Sequence, residues 1–221
     1  MKKQIIAGMA AAMICVGAIG GTLAYLTDTS DQVRNTFTVG QNVDISLDEK
    51  YVDKLGDELK QGDVNYGKRG NGNVYKLVPN ESYIKDPTVH VLADTEPCYV
   101  FIKVTDSFSN YNLEPDDTTY KSITAQIEDN WTEIVVDGAA TTDKFYYYKG
   151  ANAPDNIVTP SKTEKTDLVV FSNFKIKNTT DYDELAAAKD ATILIEACAI
   201  QADGFASVTA AAEELPDAFI N

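Results

Sequence analysis

Segments of strand length in which apolar and polar residues alternate recur along this chain, and they constrain its fold more than any other feature. A period of two sends alternate side chains to opposite faces of a strand, one toward a core and one toward water. In Val43-Asp44-Ile45-Ser46-Leu47 the three apolar residues share one face. Phe37-Thr38-Val39 precedes this segment, and Val74 to Val78 and Thr88 to Leu92 follow it. Cys98 to Val104 is the clearest strand, with Cys98, Val100, Ile102 and Val104 on its core face. Trp131 to Val136 and Lys144 to Lys149 flank Asp137-Gly138, a hairpin signal because glycine supplies the positive φ of such turns. Leu168 to Ile176 and Thr192 to Ile200 complete the set. Roughly eight or nine short strands punctuated by turns predict an all-β chain, an antiparallel β-sandwich.

Short peripheral helices interrupt the strands. Tyr51, Leu55 and Leu59 fall at i, i+4 and i+8. Asp181 to Lys189 has acids first and a lysine last, which suits the helix dipole. Ser207 to Leu215 opens on a capping residue and stops at Pro216. A further short helix is expected between Asp116 and Ile127.

The N-terminus has a different character. Met1-Lys2-Lys3 leads into an uncharged apolar run from Ile5 to Ile19, then Gly20-Gly21-Thr22-Leu23-Ala24-Tyr25, and the first acid is Asp28. A basic start, an apolar centre and a small-residue exit describe a secretory signal peptide. The competing reading is a retained anchor, since the uncharged run from Gln4 to Thr27 is long enough to span a bilayer. The glycine-rich exit favours cleavage, after Ala24 or Tyr25, which leaves Leu26 at or next to the new N-terminus. Cys15 follows Ile14 rather than a small residue, which argues against lipoprotein processing, and Leu215-Pro216-Asp217-Ala218 lacks the Thr-Gly of a sortase site. The chain thus divides into residues 1–25 as signal, 26–42 as an N-terminal segment and 43–221 as the sandwich domain. Lys2 and Lys3 are the only charges in the signal, so the exported chain carries a formal charge of −17 against −15 for the whole.

That acidity argues against nucleic acid as a partner, because phosphate backbones are repelled. A single histidine excludes two-histidine zinc motifs, and three cysteines cannot build a four-cysteine site. No cofactor is expected. Gly62 to Lys68 has the spacing of a phosphate loop, but Arg69 stands where Ser or Thr should hold magnesium. His90 lies in a strand beside Val89 and Val91, and no nucleophile elbow accompanies it, so it reads as a hydrogen-bonded structural histidine. Cys98 and Cys198, both in predicted strands, are either a disulfide formed after export or two buried thiols. Glu114, Asp116 and Asp117, or Asp181, Asp183 and Glu184, are acid groups of a kind that binds calcium, but they match no calcium-loop pattern and read as solvated loops. Phe145-Tyr146-Tyr147-Tyr148 puts aromatics on both faces of a strand, one for the core and the other open to a ligand.

Gly20 to Asp28, followed by Asn35-Thr36-Phe37-Thr38-Val39-Gly40 and the strand from Val43, resembles the secreted biofilm-matrix proteins of the TasA/camelysin type in Gram-positive bacteria. Lys85 to Val89, Pro97 to Val104 and Ala197 to Phe205 look like the clostridial branch of that group. The resemblance implies export through a dedicated signal peptidase, SipW, a jelly-roll sandwich, and self-association into extracellular fibres, with other matrix proteins or polysaccharide as further partners. It also implies donor-strand complementation, in which the N-terminal segment of one subunit completes a sheet of the next. The donor would be Leu26 to Val39, with Leu26, Val33, Phe37 and Val39 as its large apolar residues and Asp28, Asp31 and Arg34 interrupting them. Camelysin-type proteins are also classed as metallopeptidases, but no residue here matches a zinc motif. A structural fibre subunit, without enzymatic activity, is therefore the expectation. The alternatives are a camelysin-like peptidase and a non-polymerising adhesin that binds glycans through tyrosines near Tyr146 and Tyr148.

Overall fold

The computed structural model of the protein describes residues 27–30, 43–111, 120–151, 153–178 and 180–221. Along them run the strands β1 (Thr27–Ser30), β2 (Ile45–Lys50), β3 (Arg69–Gly70), β4 (Ser82–Ile84), β5 (Thr88–Val91), β6 (Cys98–Asp106), β7 (Trp131–Ile134), β8 (Asp143–Tyr148), β9 (Thr166–Val169), β10 (Asn173–Lys175) and β11 (Ile193–Gln201). Among the described residues four short α-helices accompany them: α1 (Ile123–Asn130), α2 (Tyr182–Ala187), α3 (Val208–Ala212) and α4 (Asp217–Ile220).

The strands form an antiparallel β-sandwich. One sheet has the order β1-β11-β6-β8-β7 and the other β3-β2-β5-β9, with a small β4-β10 pair beside them. Every named pairing is antiparallel. Between the sheets, Ile45, Val89, Val91 and Leu168 meet Val100, Ile102, Val104, Tyr146, Tyr148, Ala197 and Ala199. The indicated core face of β6 is therefore correct.

The five-stranded sheet is also covered on its outer face. Tyr99, Phe101, Phe145, Cys198 and Ile200 pack beneath Val208, Ala211, Ala212 and Phe219 of the C-terminal helices and Leu215 of their connection. Burying a phenylalanine is worth about 1.5–3 kcal/mol, so these two short helices are held by packing rather than by intrinsic helicity. Buried in this layer, Lys103 pairs with Glu196 directly across the sheet at 2.9 Å. Ser207 caps α3 by accepting from the Ala210 N–H at 3.2 Å, as its position before the helix predicts.

Three local expectations fail for identifiable reasons. No helix forms over 51–59. Asp53 Oδ1 instead accepts from the N–H groups of Leu55 and Asp57, at 2.8 and 3.0 Å, and Gly56 takes φ +80° in a tight turn. No strand forms over 74–78, because those backbone groups are taken by other partners. Lys76 N–H donates to the Lys54 carbonyl at 2.6 Å, and the Tyr83 hydroxyl donates to Lys76 O at 3.1 Å and accepts from Val78 N–H at 2.6 Å. The run from 168 to 176 divides into β9 and β10, which serve different sheets. The helix expected between 116 and 127 is α1, displaced toward the C-terminus by the Ser122 cap, whose Oγ accepts from Ala125 N–H at 3.1 Å. Phe37 to Val39 lies outside the described residues.

Candidate functional site

Strand β11 is bonded along its length to β6 on one side and over four residues to β1 on the other. Thr27 stands opposite Ile200 and Ser30 opposite Ala197, so β1 occupies the sheet edge that β11 would otherwise expose. An unpaired edge presents a row of N–H and C=O groups that any extended chain can satisfy. The part of the 26–39 segment that is described is thus an edge strand on its own chain. Ala24, Tyr25, Leu26, Val33, Phe37 and Val39 lie outside the described residues.

A second feature lies on the outer face of the four-stranded sheet. Asp48, Thr88, His90 and Asp167 share that face, because Ser46 pairs with His90, Asp48 with Thr88 and His90 with Asp167. His90 is only 4% exposed. Its Nε2 lies 2.9 Å from Asp48 Oδ1, and its Nδ1 lies 2.6 Å from Asp167 Oδ1 and 2.8 Å from Lys165 Nζ. Arg69 reaches in from β3. Its Nε bonds Asp48, its Nη1 bonds Asp86 at 2.9 Å, and its Nη2 bonds Thr88 Oγ1 at 2.8 Å and the Asp86 carbonyl at 3.0 Å. Burial opposes charge on both members of the Arg69–Asp48 pair. The hydrogen bonds outweigh it, pushing Arg69 up and Asp48 down, with His90 adding to the second shift. Asp167 is likewise held low, the bonds from Lys165 and His90 overcoming its burial.

With both ring nitrogens in contact with charged partners, His90 has no open position for a proton transfer to substrate. It is a hydrogen-bonded structural histidine, as its sequence context indicates. Arg69 was visible in the sequence only as the wrong residue after a phosphate-loop spacing. Its partners lie 17 to 21 positions away, so no local pattern exposes its role.

Other singled-out residues resolve as follows. Cys98 and Cys198 are not bridged; each is a buried thiol. Cys98 faces the core between the sheets and Cys198 the layer under the C-terminal helices, so one sheet separates them. Asp181 and Glu184 form a capping box on α2, Asp181 Oδ1 accepting from Glu184 N–H at 2.9 Å and Glu184 Oε2 from Asp181 N–H at 3.0 Å. Glu114, Asp116 and Asp117 lie outside the described residues. Tyr146 and Tyr148 are buried between the sheets, and Phe145 and Tyr147 belong to the layer under the helices. The glycan-binding reading placed open tyrosines there, and both faces of β8 are covered.

The described residues thus form an antiparallel β-sandwich whose first described strand sits at a sheet edge and whose polar cluster is closed on itself. Residues 1–69 of the 221 match the family model described as camelysin metallo-endopeptidase, the family that the N-terminal segments resemble. Members of that family are secreted or cell-surface proteins of Gram-positive bacteria. No curated protein and no solved structure matches the chain. The family description implies a metal, and the described residues do not fit one. The only histidine is committed on both nitrogens, and no three His, Cys, Asp or Glu side chains among the described residues converge on a common point.

Proposed function

We propose that the chain is a secreted, non-enzymatic structural subunit of an extracellular matrix or cell-surface fibre. Residues 1–25 are its signal peptide, cut by a SipW-type peptidase. Subunits of jelly-roll form join by donor-strand complementation, with residues 26–39 of one subunit on a sheet of the next. The observation that carries this reading is the pairing of β1 with β11. That pairing uses main-chain groups, at a net of about 1 kcal/mol per hydrogen bond, so the same segment of a neighbouring copy can take the same place at similar energy. Such a contact is head-to-tail and does not close, which gives a filament.

The test is to purify residues 26–221 and a form lacking 26–39, and to look for filaments by electron microscopy. Filaments from the first and none from the second are expected. Filaments from both, or from neither across a wide range of salt and pH, would count against the mechanism. Chelator-sensitive cleavage of casein by the pure protein would overturn the non-enzymatic reading.

A further inference from the structure

Glu49, near the end of β2, is a carboxylate only 4% exposed. Its two oxygens serve two different nitrogens. Oε2 accepts from Lys85 Nζ at 2.6 Å, and Oε1 accepts from Asn73 Nδ2 at 2.9 Å. The lysine side chain is 12% exposed.

The carboxamide of Asn73 can point only one way. Its Nδ2 also donates to the Lys50 carbonyl at 2.8 Å, and its Oδ1 accepts from Val52 N–H at 3.1 Å. Exchanging O and N would set donor against donor and acceptor against acceptor. Lys85 is anchored through its own backbone, whose N–H donates to the Ser172 carbonyl at 3.2 Å. Tyr75 lies beside the group, with its hydroxyl donating to Ile84 O at 2.9 Å. Burial, and then the nearby Glu49 charge, push its phenol well above the usual range.

An ion pair needs no third member. Here a partly buried amine and a partly buried carboxamide share one buried carboxylate, and a backbone N–H already polarises the carboxamide oxygen. These are the parts of an amide transfer: a nucleophile, an acyl carbon, a proton carrier and a donor for the developing oxyanion. We propose that Lys85 and Asn73 are joined by an intramolecular amide bond that forms in the folded chain, with Glu49 as the proton carrier.

Glu49 takes a proton from the Lys85 ammonium, and the neutral Nζ attacks Cγ of Asn73 while Val52 N–H steadies the oxygen. The Nζ–Cγ bond forms and the Cγ–Nδ2 bond breaks. Glu49 passes two protons in turn from Nζ to Nδ2, which leaves as ammonium, and ends as the carboxylate it began as. No oxidant or cofactor is consumed. The link ties the excursion between β3 and β4, which builds no ladder of its own over 74–78, to the segment entering β5. A subunit under tension in a fibre, or exposed to proteases, gains from a clamp that thermal opening cannot release.

Intact-mass spectrometry tests this on the purified chain, with its N-terminus fixed by peptide sequencing and its folding checked by circular dichroism. The expected mass is lower than the sequence mass by one ammonia, and a proteolytic digest yields a branched peptide joining Lys85 to Asn73. Glu49→Gln and Lys85→Arg should each restore the full mass; the second keeps the charge next to Glu49. A folded wild-type chain at full sequence mass overturns the proposal. So does a loss of ammonia that persists in Lys85→Arg.

Discussion

The indole N–H of Trp131 donates to the backbone carbonyl of Val169 at 3.1 Å, tying edge strand β7 of one sheet to edge strand β9 of the other. The indole is fully buried and stands edge-on to Tyr148 at 5.1 Å. Trp131→Phe should remove the donor, leave the carbonyl without that partner and open a small cavity. The expected loss is about 2–3 kcal/mol of unfolding free energy. Trp131 is the only tryptophan, so urea denaturation followed by circular dichroism is the suitable measurement. An unchanged midpoint would show that the two edges are held elsewhere.

The ion network predicts the acid limb of stability. Asp48 and Asp167 have folded-state pKa values below their ordinary 3.8. A depressed carboxylate contributes stability that is fully present above the unfolded value and is lost as pH falls through the folded one. Asp48→Asn should therefore be less stable than wild type at neutral pH. That gap should narrow as pH falls below about 4, where the wild-type carboxylate takes up its proton. Urea midpoints at neutral pH and in the acid range measure both arms. A gap of constant size would mean that Asp48 matters for its shape rather than its charge.

Tyr146 offers the opposite kind of test. Its hydroxyl is buried with no hydrogen-bond partner, and its phenol is pushed up by burial first and then by the charges of Glu133 and Glu128. An unsatisfied buried hydroxyl costs about 1–3 kcal/mol. Tyr146→Phe keeps the ring and removes the cost, so the variant should be as stable as wild type or more stable by about 1 kcal/mol. A clear destabilisation would place a buried water on that oxygen.

The elements legible in the sequence are those whose burial is local and repetitive. Strands β6, β8 and β11 carry enough Val, Ile, Tyr and Phe that no other element suits them. What failed to show was the second buried face. Tyr99 and Phe101 read as the outward side of β6 because nothing near them announces that residues 208–219 return to cover it. The failed helix at 51–59 had the right spacing, but Asp53 and Gly56 favoured a turn, and that conflict was present in the sequence. The polar clusters were invisible for a plainer reason. Glu49 meets Asn73 and Lys85 across 24 and 36 positions, and charge chemistry has no period to detect.

Assembly itself should depend on ionic conditions in a way the fold does not. On the proposed reading, subunits that have lost residues 1–25 carry a formal −17 and repel one another, so bringing them edge to edge is opposed by a field that salt screens within about 8–10 Å. The ion pairs that support the four-stranded sheet are partly or wholly buried and are screened much less. Filament yield should therefore rise with salt or divalent cations while the denaturation midpoint barely moves. Acid acts in two directions. Protonating surface carboxylates relieves repulsion and should favour filaments, until pH falls below about 4 and the Asp48 and Asp167 contribution is lost. The predicted profile has a maximum in mildly acid solution and falls away on both sides. Turbidity and electron microscopy across pH, at two salt concentrations, would trace it. A yield that falls as salt rises would mean that attraction between opposite charges, not β-pairing against repulsion, holds the subunits together.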